Sequence, residues 1–357
     1  GLLLVVGLLF AAAPVGQAQA ATLCVNTDGS GSCYTSIQAA INAAAPGDTI
    51  NVAAGTYTEQ LLIQKNLILV GAGINETIVQ APATGRATAP GYTSQVWTAD
   101  NWNTDYLLAA YPTDSTPISV KVSGFTFDAN GQAHIVGDRF TGVYFRKVFN
   151  SEIAAAGLFD SEIIGFSASD PSVTGIRVME SSQLTLSGNL VKDYTILGIV
   201  VYGTDNLVDP IVQTSGNTLT PAGSAQGIQY RFINRVGSEG FAGIIAENTI
   251  NGGSLPIAPA YSDNILVEDN VITNSADSGI VLEASSSCTI QENNITDFVY
   301  NGIQVSGSNH VIQGNIISDT TGFASNGIAV LSHLFPTGSS GNQIIGNTIS
   351  GIHSGDT

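Results

Sequence analysis

The residues best placed to do chemistry sit where a regular spacing breaks. Units of the form Gly-Ile-x-Val, or close variants of it, start at Gly175, Gly198, Gly227, Gly279, Gly302 and Gly327, with a relative at Gly142-Val143-Tyr144-Phe145. In extended backbone alternate side chains face opposite ways, so the Ile and Val point inward and x points out. The outward positions include Tyr144, Arg177, Val200 and Gln229. The segments that follow are short at 179–183, 283–288 and 306–310 but swell at 202–211, 231–243, 257–264 and 332–342. The first three swollen segments belong to consecutive repeats and are expected to form one wall holding Tyr202, Asp205, Asp209, Arg231, Arg235, Glu239, Tyr261 and Asp263. Such a set suits an acidic sugar chain. Elimination or epimerisation at a uronate needs a base for the C5 proton and a cation beside the carboxylate. Hydrolysis needs two carboxyl groups roughly 5–9.5 Å apart. The expected catalytic groups are therefore Arg177, Arg231, Arg235, Asp205 and Asp209, with Tyr144, Gln229, Tyr202 and Tyr261 as substrate-binding neighbours. The plainer alternative is a set of solvated turn residues that pair on the surface.

A second candidate is the insertion at 80–117, which carries Trp97 and Trp102 together with Tyr92, Tyr106 and Tyr111. Flat aromatic faces match the C–H faces of pyranose rings, so Trp97 and Trp102 are expected to bind sugar. The alternative is that they pack the loop onto the body.

Short strands must position these groups. Behind each Gly-Ile unit comes an Asn-x-Ile unit, with Asn189, Asn217, Asn248, Asn270, Asn294, Asn315 and Asn347 spaced by 28, 31, 22, 24, 21 and 32 residues. A period near 22 that lengthens only by insertion means one coil per repeat. Stacking coils at about 4.8 Å pairs each short strand with those above and below, and lines the aliphatic residues into a narrow core. The recurrent Asn predicts an amide ladder along one corner. The recurrent Gly predicts a corner that needs positive φ or close approach. The only helix pattern covers 35–47, capped by Thr35 or Ser36 and ended by Pro46-Gly47, with strands following at 49–52, 61–63 and 67–70. That helix is expected to cover the open end of the stack.

Composition agrees. Only 11% of residues are charged, against about 25% in ordinary domains. The net charge of −18 leaves no basic stripe, which argues against a nucleic-acid partner. Ca²⁺ is the one cofactor the acidity favours. The apolar run Leu2 to Ala13 and the Ala18-Gln19-Ala20 pattern read as a signal peptide cut near Ala21. No transmembrane segment is expected after its removal. Cys24 and Cys33, nine residues apart, suggest a disulfide loop in an exported protein, with two free thiols as the alternative; Cys288 reads as a small buried residue. The missing initiator Met and the stop at Thr357 just after a repeat suggest a chain cut at both ends.

The stretch Ser36-Ile37-Gln38-Ala39-Ala40-Ile41-Asn42-Ala43, followed by Pro46-Gly47-Asp48-Thr49-Ile50 and Ala54-Gly55-Thr56-Tyr57, resembles the start of pectin-lyase-like β-helix proteins. The repeats resemble the right-handed parallel β-helix repeat family, which also holds a periplasmic copper-accessory protein. The likeness covers roughly residues 35–352 and implies an all-β, right-handed parallel β-helix with an N-terminal capping helix. It implies little about activity. Motifs of polygalacturonases, pectate lyases and alginate epimerases are absent, and His134, His310, His333 and His353 are too dispersed for a copper role. The expected organisation is a signal peptide at 1–20, an N-terminal cap with disulfide loop and helix at 21–48, and the β-helix from 49 to 357. The expected function is secreted or cell-surface binding of extracellular, acidic polysaccharide. Lyase, epimerase or glycoside hydrolase chemistry is open to it. A non-catalytic adhesin or structural solenoid is the alternative.

Overall fold

The computed structural model describes residues 19–90, 103–135, 139–150, 153, 155–203, 211–234, 240–331 and 339–353. The expected signal peptide lies almost wholly outside them. The chain winds into stacked coils whose strands form long parallel sheets of twelve and eleven strands, with a third face split into seven and three. The third face carries the Gly-Ile units. Its strands run Leu61–Ile63, Thr104–Ala110, Arg139–Arg146, Val173–Met179, Leu197–Tyr202 and Gln226–Arg231, then Ile280–Ser286, Asn301–Ser308 and Asn326–Val330. Ile176, Ile199 and Ile228 stand in register across three of these strands and are fully buried in the core.

The helix Ile37–Ala43 begins at Ser36, whose side chain accepts from the Ala39 N–H at 3.1 Å. Glu59 completes the start, accepting from the Ser36 hydroxyl and from the Ile37 and Gln38 N–H groups. Ile37, Ala40 and Ile41 are buried in the core, and the helix packs on strands Thr22–Val25, Thr49–Val52 and Leu61–Ile63. A disulfide joins Cys24 to Cys33.

The amide ladder runs at the corner between the two long sheets. Each buried Asn accepts, through Oδ1, from the backbone N–H and the Nδ2 of the Asn one coil earlier, and its own Nδ2 reaches a carbonyl of that coil. Asn217, Asn248 and Asn270 repeat this at 3.0 Å. The rung between Asn270 and Asn315 is Asn293, not the expected Asn294, which is exposed at the start of the next strand. Two adjacent Asn residues leave the pattern ambiguous, and only the one at the corner can reach both neighbours. The recurrent Gly residues do not need positive φ. A Cβ at Gly175 would lie 2.3 Å from Val191 and 2.6 Å from the Gly198 carbonyl, and Gly142, Gly198, Gly279 and Gly302 repeat that conflict. Close approach alone selects glycine here.

The segment 257–264 is not a swollen turn. Ile257 and Ala260 bridge to Ile228 and Arg231 on one side, and to Ile280 and Glu283 on the other. This is the Gly-Ile strand of the Asn248 coil, broken by Pro256 and Pro259, whose missing N–H groups interrupt the ladder.

Replacing Asn248 by Ala removes the acceptor of the Asn217 N–H and Nδ2 and leaves both buried. The expected cost is on the order of 3 kcal/mol, confined to the neighbouring coils. Hydrogen exchange should show faster amides across 212–273 and unchanged protection across 49–80; uniform loss, or none, contradicts the ladder's role.

Candidate functional site

The outward side of the Gly-Ile sheet is not an open groove along its whole length. Over its first strands Pro90 lies against it, while Thr104–Ala110, within the expected 80–117 insertion, is itself a strand of this sheet, a correction to that expectation. Ala89, Tyr106, Ala109, Tyr144, Met179, Leu197, Val200 and Tyr202 form a second apolar cluster there. The short strand Thr88–Ala89 pairs antiparallel with Thr104–Ala110. Tyr144 is 1% exposed, donates its hydroxyl to the Pro90 carbonyl at 3.2 Å, and has its phenol pushed up to about 12 by burial. It is a packing residue here, a correction to its expected place in an open groove. The apolar Ala109 beside it, and Val200 in the same cluster, explain why the face attracts a cover.

Arg177 is also 1% exposed, and its Nε and Nη2 have no hydrogen-bond partner among the described residues. It stands in register between Tyr144 and Val200, beneath the covered part of the face. Burying a guanidinium without a counter-charge is costly.

The face opens at its other end. A cavity of about 410 Å³ lies over strands Leu197–Tyr202 and Gln226–Arg231, walled by Arg139, Thr195, Leu197, Tyr202, Gln229 and Arg231 among others. Tyr202 and Arg231 are register partners, so strand pairing puts them side by side. Gln229 gives one amide N–H to Gln226 at 3.0 Å, and its buried Oε1 has no partner among the described residues. The structure therefore gathers Tyr202, Gln229 and Arg231. Tyr261 lies outside the cavity lining and stacks on Phe232 at 5.4 Å. Arg235, Asp205, Asp209, Trp97 and Trp102 lie outside the described residues, as do Tyr92, Glu239 and His333. Arg139, Thr195, Ser224 and Gln226 were not expected in the site. They precede the Gly-Ile units, at the opposite end of each strand from the turns that drew attention, and Arg139 stands three residues before Gly142.

The described histidines do not converge. His134 pairs through Nδ1 with Asp170 at 2.7 Å, while His353 is exposed. His310 is fully buried. Its Nδ1 accepts from the Cys288 N–H at 3.2 Å and its backbone N–H donates to Asn342. Burial pushes the Cys288 thiol up to about 12, which disfavours the thiolate a metal needs. Among the described residues no three His, Cys, Asp or Glu side chains come together to hold a metal ion.

The profile of a family described as periplasmic copper-binding protein (NosD) matches residues 211–354. The described residues do not supply copper ligands to go with that description. No curated protein sequence matches the chain. Among solved structures, the A-module of a mannuronan C-5 epimerase from Azotobacter vinelandii aligns at 17% identity and a TM-score of 0.50, over 89% of each chain. The Dettilon tailspike protein aligns at 16% identity and 0.56, over 92% of this chain and 62% of its own. A GH136 lacto-N-biosidase from Eubacterium ramulus aligns at 11% and 0.52, over 92% and 68%. At such identities the likeness establishes the shared fold. Among the described residues no helix is long and apolar enough to cross a membrane.

Burial holds the His310 pKa below its ordinary value. The unfolded chain therefore takes up a proton that the folded chain refuses. Stability is present above about pH 6.5 and falls as pH drops through the folded pKa. Thermal unfolding followed from pH 7 to pH 5 should show that loss, and His310→Gln should flatten it; an unchanged slope in the variant contradicts the assignment.

Proposed function

We propose that this right-handed parallel β-helix of the pectin-lyase-like superfamily is an exported protein that binds acidic polysaccharide on the outward side of its Gly-Ile sheet. The placement of the cations carries the reading. The chain has ten Lys and Arg against 28 acidic residues. Seven of the ten (Lys65, Arg86, Arg139, Arg146, Lys147, Arg177 and Arg231) lie on, or within two residues of, strands of this one sheet. A strongly acidic chain repels polyanions everywhere else. At the open end Arg139 and Arg231 flank Tyr202 and Gln229, which supply an aromatic surface and an unmatched amide oxygen. Arginine's planar fork suits a carboxylate, and the neutral donors suit sugar hydroxyls.

The described cavity lining contains no carboxylate. Binding is therefore the reading its described part supports. Asp205 and Asp209, in the chain between Tyr202 and the next coil, are the groups whose placement would decide whether proton transfer or hydrolysis is added. The Cys24–Cys33 disulfide fits an oxidising compartment outside the cytoplasm.

A screen of the mature protein against polyuronates, with and without Ca²⁺, tests this by affinity and by the absorbance of unsaturated products. Binding should appear, and Arg231→Ala should weaken it at least about tenfold, the worth of one charge-assisted contact. A chain that binds no polyuronate, or whose binding ignores Arg231, is a structural solenoid instead.

A further inference from the structure

A second cavity, of about 340 Å³, opens on the same side nearer the N-terminus. It is walled by Pro90, Tyr111, Pro112, Asp114, Arg146 and Lys147. Strand pairing relates it to the first. Arg146 pairs in register with Met179, Met179 with Tyr202, and Tyr202 with Arg231. Arg146 and Arg231 thus occupy one outward column, three strand steps apart, or roughly 14 Å along the stack. A chain of a few hexoses spans that distance.

The second cavity shares cations and an aromatic ring with the first. Arg146 supplies a guanidinium, held by Glu180 through Nε at 2.6 Å. Lys147 supplies an ammonium that makes no hydrogen bond or ion pair with the described residues, and its backbone is left-handed at φ 52°, turning the chain sharply out of the strand beside the cavity. Tyr111 and two prolines supply a firm apolar surface, with the Tyr111 ring edge-on to Tyr144 at 6.5 Å. The acidic member, Asp114, is engaged in its own turn, accepting from the Thr116 N–H at 2.7 Å. A cation pair beside an aromatic ring matches a sugar that bears a carboxylate, as in the first cavity.

We infer that the Arg146–Lys147–Tyr111 cavity is a second subsite of the same track, taking an acidic sugar several residues along the chain from the one held by Arg139 and Arg231. This rests on the polysaccharide reading of the first cavity and adds a minimum ligand length to it.

Calorimetric titration with oligogalacturonates and oligomannuronates of two to eight units tests it, using the mature protein, Arg231→Ala and Lys147→Gln. The Lys147 side chain makes no hydrogen bond or ion pair with the described residues, and glutamine is a shorter, uncharged and still polar replacement, so the fold should survive. The intact protein should bind hexamers more tightly than dimers. Lys147→Gln should weaken hexamer binding about fivefold, as expected for one partly screened contact, and leave dimers unchanged. Equal affinity for dimers and hexamers, or a hexamer affinity indifferent to Lys147, overturns the second subsite. If dimers still depend on Arg231 in that case, the first cavity's assignment stands; if no acidic oligomer binds the intact protein, both fall.

Discussion

Every distance in this molecule descends from the coil-to-coil hydrogen bond. Strands of three to eight residues cannot bury an apolar face alone, and their backbone groups find partners only in the coils above and below. The Asn ladder extends this rule to a corner. Asn217, Asn248, Asn270, Asn293 and Asn315 each satisfy a buried N–H of the preceding coil, so turn backbone is paired without water. A slip of one residue would leave those N–H groups unmatched. Register is therefore fixed, and with it the outward columns. That is why Arg146 and Arg231, 85 positions apart in the chain, stand on one line.

The fixed register makes the outward face of the Gly-Ile sheet a ruler, closed where Pro90 meets Tyr144 and open further along. Where outward residues are apolar, as at Ala109, Tyr144 and Val200, a cover is favourable and the face is closed. Where they turn polar, at Gln226, Gln229 and Arg231, the face stays open. Arg177 sits at the border, a buried cation with two nitrogens unpartnered among the described residues. Its placement beside the covered apolar cluster marks the transition from packing to recognition. The cations concentrated on this face stand out because the rest of the chain is acidic.

The fold was legible because its determinants are periodic. Gly175, Gly198 and Gly302 answer to one steric demand, and the Asn series to one hydrogen-bond pattern, so each coil repeats the message. Legibility failed where periodicity did. Asn294 was chosen over Asn293 because spacing alone cannot choose between neighbours. Residues 257–264 were mistaken for a turn because Pro256 and Pro259 disguise a strand. The site was half visible. Tyr202, Gln229 and Arg231 followed from alternation, but Arg139 and Thr195 belong to the opposite corner, and their arrival in the same cavity depends on side-chain reach across coils. That Tyr144 would be covered depended on the segment ending at Pro90, whose path no period encodes.

The central claim is that acidic glycan lies along the outward side of the Gly-Ile sheet. Hydrogen exchange with and without a hexameric oligouronate tests it most directly. The account predicts slower exchange at 197–203 and 226–231, with a second footprint at 111–118 and 146–148, and no change at 218–220, 249–251 or 271–275 on the opposite sheet. Protection confined to that opposite sheet, or none anywhere at saturating ligand, would contradict it.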